Sequence, residues 1–319
     1  MPHTTRSRTP ARPYRKIAWP VAAMLIATLA AMLAGCNAQA TTDATDSTPG
    51  RLGVVVSILP QQYFVERIGG DHVAVSVMVG PGDDPHTYEP KPEQLKAVSN
   101  ATVYFATGVE FEHVWMDRIA AANPAMQIVD TTAGMTLLPS TEHDHEGESQ
   151  STTAELDPHV WTSPRLVAQQ ASLIAATLTK LDPDHAGDYD ANLRAFEADI
   201  TALDADLQAT LAGVKGGAFM VFHPSWGYFA RDYGLEQLAI EVGGQEPSAQ
   251  ELAMLIETAR ARNIKVVFAQ PEFSTSDAET IAREINGKVL LISPLEKDWL
   301  TNMRTVAETF RDALAPTTP

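Results

Sequence analysis

Between Tyr189 and Leu211 the apolar residues Tyr189, Leu193, Phe196, Ile200, Leu203, Leu207 and Leu211 recur at intervals of four, three, four, three, four and four. Such a stripe is one face of a single α-helix. Asp182 as N-cap and Pro183 at the first helical position open it. It runs for about 25 residues or more, roughly 40 Å at 1.5 Å per residue. A coiled-coil arm is one reading of the stripe. A helix lying across two lobes is the better one, because similar patterns flank it on both sides.

Ahead of the helix, apolar and β-branched runs at Leu52–Ile58, Val73–Val79, Thr102–Ala106 and Met126–Asp130 read as strands. Helical segments at about Gln61–Ile68, Pro92–Val98 and His113–Ala121 lie between them, and Pro164–Leu181 is a further helix. Beyond Gly216, strands at Gly217–Phe222, Gln237–Ile240, Ile264–Ala269 and Lys288–Ser293 alternate with helices at Trp226–Tyr233, Ser248–Arg262, Ser274–Ile285 and Trp299–Ala315. Strands alternating with helices predict parallel sheets. The expected class is therefore α/β, with lobes at 52–181 and 215–319 joined by a linking helix over 182–214. Ligands of such sheets bind outside the carboxyl ends of the strands, which here points to the cleft between the lobes.

Two stretches break the pattern. Residues 36–51 are rich in Thr, Ala and Asp and read as a flexible tether. Residues 139–155 (PSTEHDHEGESQSTTAE) are polar and acidic, too long for a plain connector, and read as a mobile surface loop. Residues 1–35 carry only basic charge, Arg6, Arg8, Arg12, Arg15 and Lys16, before an apolar run from Ile17 to Leu33. That run is short, Ala-rich and broken by Pro20, which suits a cleaved export signal better than a membrane span. It ends in "LAGC", and Cys36 is the only cysteine, so an intramolecular disulfide and a Cys-ligated metal are excluded. Without the signal, 18 basic residues face 40 acidic ones, a net charge of −22. Such a body repels nucleic acid and attracts cations.

Nine histidines are present, and three stand apart. His86 and His159 each end an Asp-Pro-His triplet, at Asp84–His86 and Asp157–His159. His223 ends the strand "GAFMVF" and precedes Pro224. Proline fixes its own φ and restricts the residue before it, so the backbone at each of these histidines is held. Asp84 and Asp157 are placed to cap that backbone or to accept from a ring nitrogen. An ordinary capped turn accounts for one such triplet alone. Two of them plus His223, converging on the cleft, make a transition-metal site. His72, His113 and His185 fall at polar turns or helix starts and read as exposed, while His143 and His145 lie in the acidic loop.

The stretches "GPGDDPHTYEPKPEQLKAVSNATVYFATGVEFE", "DPHVWTSP", "VFHPSWGYFARDYGL" and "VFAQPEFS" resemble the metal-binding lipoproteins of bacterial ABC-type zinc and manganese importers, the ZnuA/TroA-like cluster. The resemblance covers essentially the whole chain beyond the signal. It implies two pseudo-symmetric lobes, a backbone helix that limits hinge motion, metal capture in the cleft and delivery to an ABC permease in the cytoplasmic membrane. It also implies that "LAGC" is a lipobox, so that Cys36 is lipidated and anchors an exported, monomeric protein to a membrane. The ligands it carries over are His86, His159 and His223. The family's fourth ligand is an Asp where this chain has Ser293, a poor ligand, so the fourth position is expected to hold water or a nearby carboxylate, or to stay vacant. Glu110, Glu112, Glu272 and Asp298 are the possible substitutes, and Gln270 stands where many relatives carry Glu.

Three imidazoles without a carboxylate favour Zn2+ over Mn2+, which prefers oxygen ligands. By resemblance, the loop with His143 and His145 collects ions and hands them to the cleft; a solvated loop without a role is the other reading. Three alternatives stay open: a manganese- or iron-binding member of the same family, a zinc hydrolase, and a metal buffer or adhesin. The sequence lacks HExxH and a well-placed general base, which argues against an enzyme. With a reference imidazole pKa near 6.5, binding is expected to weaken below about pH 6.

Overall fold

In each half of the chain a helix separates every pair of consecutive strands, so the strands pair side by side in parallel rather than as hairpins. The computed structural model describes residues 50–140, 156–241, 245–273 and 275–315, all within one packed unit, Asp46–Pro319. In the first sheet, β1 (Leu52–Val56), β2 (Val73–Val77), β3 (Val103–Ala106) and β4 (Gln127–Asp130) stand in the order β2-β1-β3-β4. They are linked by α1 (Leu59–Gly69), α2 (Pro92–Asn100) and α3 (Glu110–Ala122). Next come α4 (Pro164–Leu181) and α5 (Ala186–Leu211). In the second sheet, β5 (Ala218–Val221), β6 (Glu236–Ala239), β7 (Val266–Ala269) and β8 (Lys288–Leu291) repeat the order as β6-β5-β7-β8. Here α6 (Gly227–Tyr233), α7 (Ala249–Ala261) and α8 (Ser276–Glu284) make the connections, and α9 (Trp299–Leu314) follows.

The repeated order makes the lobes pseudo-symmetric. In each sheet the chain turns to the other side beside its first strand, and loops leaving the carboxyl ends there diverge and open a crevice. β3 is buried along its whole length and β1 from Val54 to Val56, as central strands covered on both faces must be. Val54 on β1 pairs with Val75 on β2 and Val103 on β3.

Helix α5 buries Tyr189, Phe196, Ile200, Leu203, Leu207 and Leu211 of the stripe read from the sequence, while Leu193 is half-buried against the same core. It packs on α1 and α4 of the first half and on α9 of the second, which makes it a shared backbone rather than a free arm. Its start differs from expectation. Pro183–His185 forms a 3-10 turn, and the Asp182 carboxylate caps no backbone group there. Instead it accepts from the Tyr189 hydroxyl at 2.7 Å and lies 2.7 Å from His185 Nδ1. His72 and His185, expected to be exposed, are instead half-buried, their rings stacked with centroids 3.8 Å apart, while His113 is exposed.

Candidate metal centre

His86 sits on the loop between β2 and α2. The Asp84 carboxylate accepts from the His86 backbone N–H and the Thr87 hydroxyl, each at 2.9 Å, so the first Asp-Pro-His closes a tight turn. The ring is held from another element: His86 Nδ1 lies 3.0 Å from Glu110 Oε2, at the first residue of α3. The loop bearing Glu110 is shaped in turn by Gly108, whose φ of +86° suits glycine, and by Glu112. Glu112 accepts from the Thr107 and Gly108 N–H groups at 3.0 and 2.8 Å and from the Ser57 hydroxyl.

His159 repeats the triplet with a different outcome. One oxygen of Asp157, Oδ1, takes both the His159 backbone N–H at 2.9 Å and its Nδ1 at 2.8 Å. The second carboxylate thus fixes backbone and ring together. His223, at the carboxyl end of β5, has its main chain clasped by Gln270. The Gln270 side-chain N–H2 donates to the His223 carbonyl at 2.6 Å and its oxygen accepts from the His223 N–H at 3.3 Å. A side-chain amide donates and accepts at once, as an ionised carboxylate cannot, which explains glutamine at this position. His223 Nδ1 meets Glu241 Oε2 at 2.7 Å just past β6, and the Phe273 ring stacks on the imidazole at 4.9 Å.

All three rings therefore turn Nδ1 to a carboxylate. The Nδ1 hydrogen bonds of His159 and His223 put the proton there and leave Nε2 its lone pair, and the Glu110 carboxylate 3.0 Å from His86 Nδ1 favours the same tautomer, so the three Nε2 lone pairs face one another. His86 Nε2 lies 3.0 Å from His223 Nε2, which lies 3.2 Å from His159 Nε2. Lone pairs so close repel unless a cation sits among them. A tetrahedral zinc with Zn–N near 2.05 Å has N···N edges of about 3.3 Å, so the spacing is that of a coordination polyhedron. Among the described His, Cys, Asp and Glu residues, these three are the group whose ligand atoms all lie within 4.8 Å of one another. His159 and His223 are 5% and 2% exposed, while His86 forms the wetter edge of a pocket that Phe273 and Pro294 also line.

Burial, with the neighbouring His159, holds His86 down at about 4 and His223 well below the usual imidazole range. Both rings therefore stay neutral, as ligands must, across the pH range where free imidazole charges. Protons compete with a metal only as the pH nears the lowered values. Metal affinity is expected to change by less than about tenfold between pH 7.5 and 5.5 and to fall steeply on approach to pH 4. A chelator competition repeated across that range checks this. It moves the threshold below the pH 6 that unperturbed imidazoles imply.

The residues considered for a fourth position go elsewhere. Glu112 is the loop clasp just described, and burial raises its carboxyl above the usual range. Glu110 orients His86 from behind. The Ser293 hydroxyl donates to Glu272 at 2.5 Å and accepts from the Leu295 N–H at 3.0 Å, so these two pair with each other. Asp298 caps α9 through the Thr301 N–H. Cys36, His143 and His145 lie outside the described residues. Sequence reasoning missed Glu241, whose one signal is an acidic residue at the carboxyl end of a strand in the second lobe.

Residues 54–313 match the family described as zinc-uptake complex component A, periplasmic (ZnuA). The high-affinity zinc uptake system protein ZnuA of Bacillus subtilis (strain 168) is 30% identical over 282 residues, covering 85% of this chain and 87% of that protein. The zinc-binding lipoprotein AdcA of Streptococcus pneumoniae (serotype 4, TIGR4) is 29% identical over 281 residues, 86% of this chain but 55% of AdcA. A crystal structure of a ZnuA is 48% identical and superposes with a TM-score of 0.78, covering 83% of this chain and 100% of that one.

Proposed function

The chain belongs to the periplasmic zinc-uptake complex component A family, and from that premise we propose that it captures Zn2+ outside the cytoplasm and delivers it to an ABC-type permease. One observation carries the choice of metal. The carboxylates beside the rings, Glu110, Asp157 and Glu241, face Nδ1, leaving a cluster of three nitrogen donors. Nitrogen-rich sites suit zinc, whereas manganese wants oxygen. The carboxylates' negative charge, held behind the rings, still favours a dication at the Nε2 vertex. His86, His159 and His223 are the ligands in this reading, and the fourth position is left to water.

The same placement argues for a binding protein rather than an enzyme, because these three carboxylates serve as ring supports instead of general bases. Transport is then stoichiometric: one ion is held with its ligands neutral and released at the permease. Cys36 tethers the exported protein to the membrane as a lipidated residue, the protein works as a monomer, and the 139–155 loop feeds ions to the cleft through His143 and His145. The test is a competition titration of metal-stripped protein, residues 37–319, with zinc against manganese and a chelator of known affinity. One tightly held zinc and weak manganese are expected. A preference for manganese would overturn the zinc assignment and require an oxygen ligand at the site.

A further inference from the structure

The segment that carries His159 precedes the long helix in sequence, yet many of its hydrogen bonds run to the second lobe. The Tyr228 hydroxyl, on α6, donates to the Asp157 carbonyl at 2.6 Å and accepts from the Leu138 N–H at 3.0 Å. Trp161 Nε1 donates to the Pro294 carbonyl at 2.8 Å, and Trp299 Nε1 donates to the Trp161 carbonyl at 2.8 Å. Ser163 Oγ donates to Asp232 at 2.5 Å. A Cβ at Gly227 would come within 3.0 Å of Asp157 Oδ2, so the start of α6 and this aspartate are in closest contact. The supports of His86 are different: Asp84 and Glu110 both belong to the first lobe.

Tyr228 occupies the centre of this junction. It is fully buried against Val160 and Leu166, and it follows His223 by five residues on the same stretch of chain. Burial pushes its hydroxyl up to about 12, so it remains a proton donor to the Asp157 carbonyl at neutral pH. Asp157 in turn holds the His159 backbone and ring. The path from hydroxyl to ligand thus passes through one residue.

We infer that Tyr228 is a positioning residue of the metal site, fastening the His159 segment to the helix that follows His223 so that these two histidines form one preset pair. His86 is then the ligand that the other lobe contributes. The inference rests on the reading of the three histidines as ligands, and it concerns how two of them are set rather than which residues bind.

Tyr228→Phe keeps the ring in its apolar surroundings and removes only the hydroxyl. Its zinc affinity is expected to fall about tenfold, the low end for partners that orient a ligand. The visible spectrum of the cobalt-loaded protein should shift, because the His159–His223 geometry relaxes. The same tenfold loss is expected when Tyr228→Phe is added to His86→Ala, since the preset pair survives that change. His159→Ala and His223→Ala, titrated alongside, report on the site itself. If both weaken zinc while Tyr228→Phe binds as wild type, the inference is overturned and the site stands. If neither weakens zinc, the ligand assignment fails and takes the inference with it. A Tyr228→Phe loss that vanishes in the His86→Ala background, or that leaves the cobalt spectrum unchanged, also overturns it, because the hydroxyl would then act elsewhere.

Discussion

Zinc affinity of the His223→Ala protein is expected to fall by about a thousandfold or more. Zinc held by a protein site is worth on the order of 10–16 kcal/mol, so one of three donors carries about 4 kcal/mol, three decades in affinity. His223 Nε2 lies 3.0 and 3.2 Å from those of His86 and His159, so its loss removes two edges of the nitrogen triangle at once. Alanine also takes the Nδ1–H away from Glu241, whose side chain is 10% exposed. Removing a buried carboxylate's donor adds a cost of its own. Chelator competition measures the loss, and thermal unfolding of the metal-free variant confirms that the lobe is folded. An affinity within about tenfold of wild type, the range of an orienting residue, would strike His223 from the ligand set.

Truncation of Trp299 is expected to produce the largest loss of stability. The side chain is fully buried at the start of α9. It meets Phe64 of α1 edge-on at 5.2 Å and Phe196 of α5 at 6.4 Å, while its indole N–H donates to the Trp161 carbonyl. One residue therefore touches the first lobe, the backbone helix and the His159 segment. Trp→Ala at such a site costs about 3–5 kcal/mol through lost contacts and the cavity left behind. For a domain of this size that lowers Tm by about 10 °C. Zinc affinity should fall as well, since Trp161 lines the metal pocket. Thermal melts of Trp299→Ala and Trp299→Phe separate cavity from hydrogen bond; the Phe variant keeps much of the packing and is expected to lose roughly 1–3 kcal/mol. A Tm within about 2 °C of wild type for Trp299→Ala would mean that the lobes do not depend on this junction.

The elements were legible because their signals are local. The Tyr189–Leu211 stripe gave α5, and the β-branched runs gave the strands to within a few residues. The start of α5 misled for the same reason: Asp182 and Pro183 have the composition of a cap, but Tyr189, one turn into α5, takes the carboxylate instead. Both Asp-Pro-His triplets look alike in sequence, yet Asp84 serves the backbone and Thr87 while Asp157 also holds the ring. Glu112 drew attention as an acid near the site. It is in fact spent on the Thr107 and Gly108 amides behind it.

The sequence by itself determined the two parallel sheets, the helix between them and the three histidines, because hydrophobic period and rigid Asp-Pro turns act over a few neighbouring residues. Tertiary structure alone decided that the rings meet at all: His86 and His223 are 137 residues apart and come within 3.0 Å. It also decided which acid turns each ring, Glu110 for His86 and Glu241 for His223, 18 positions downstream. It joined the His159 segment to the second lobe through Tyr228. These pairings are set by where separate strands end in space, and side chains chosen by distance leave no period in the chain.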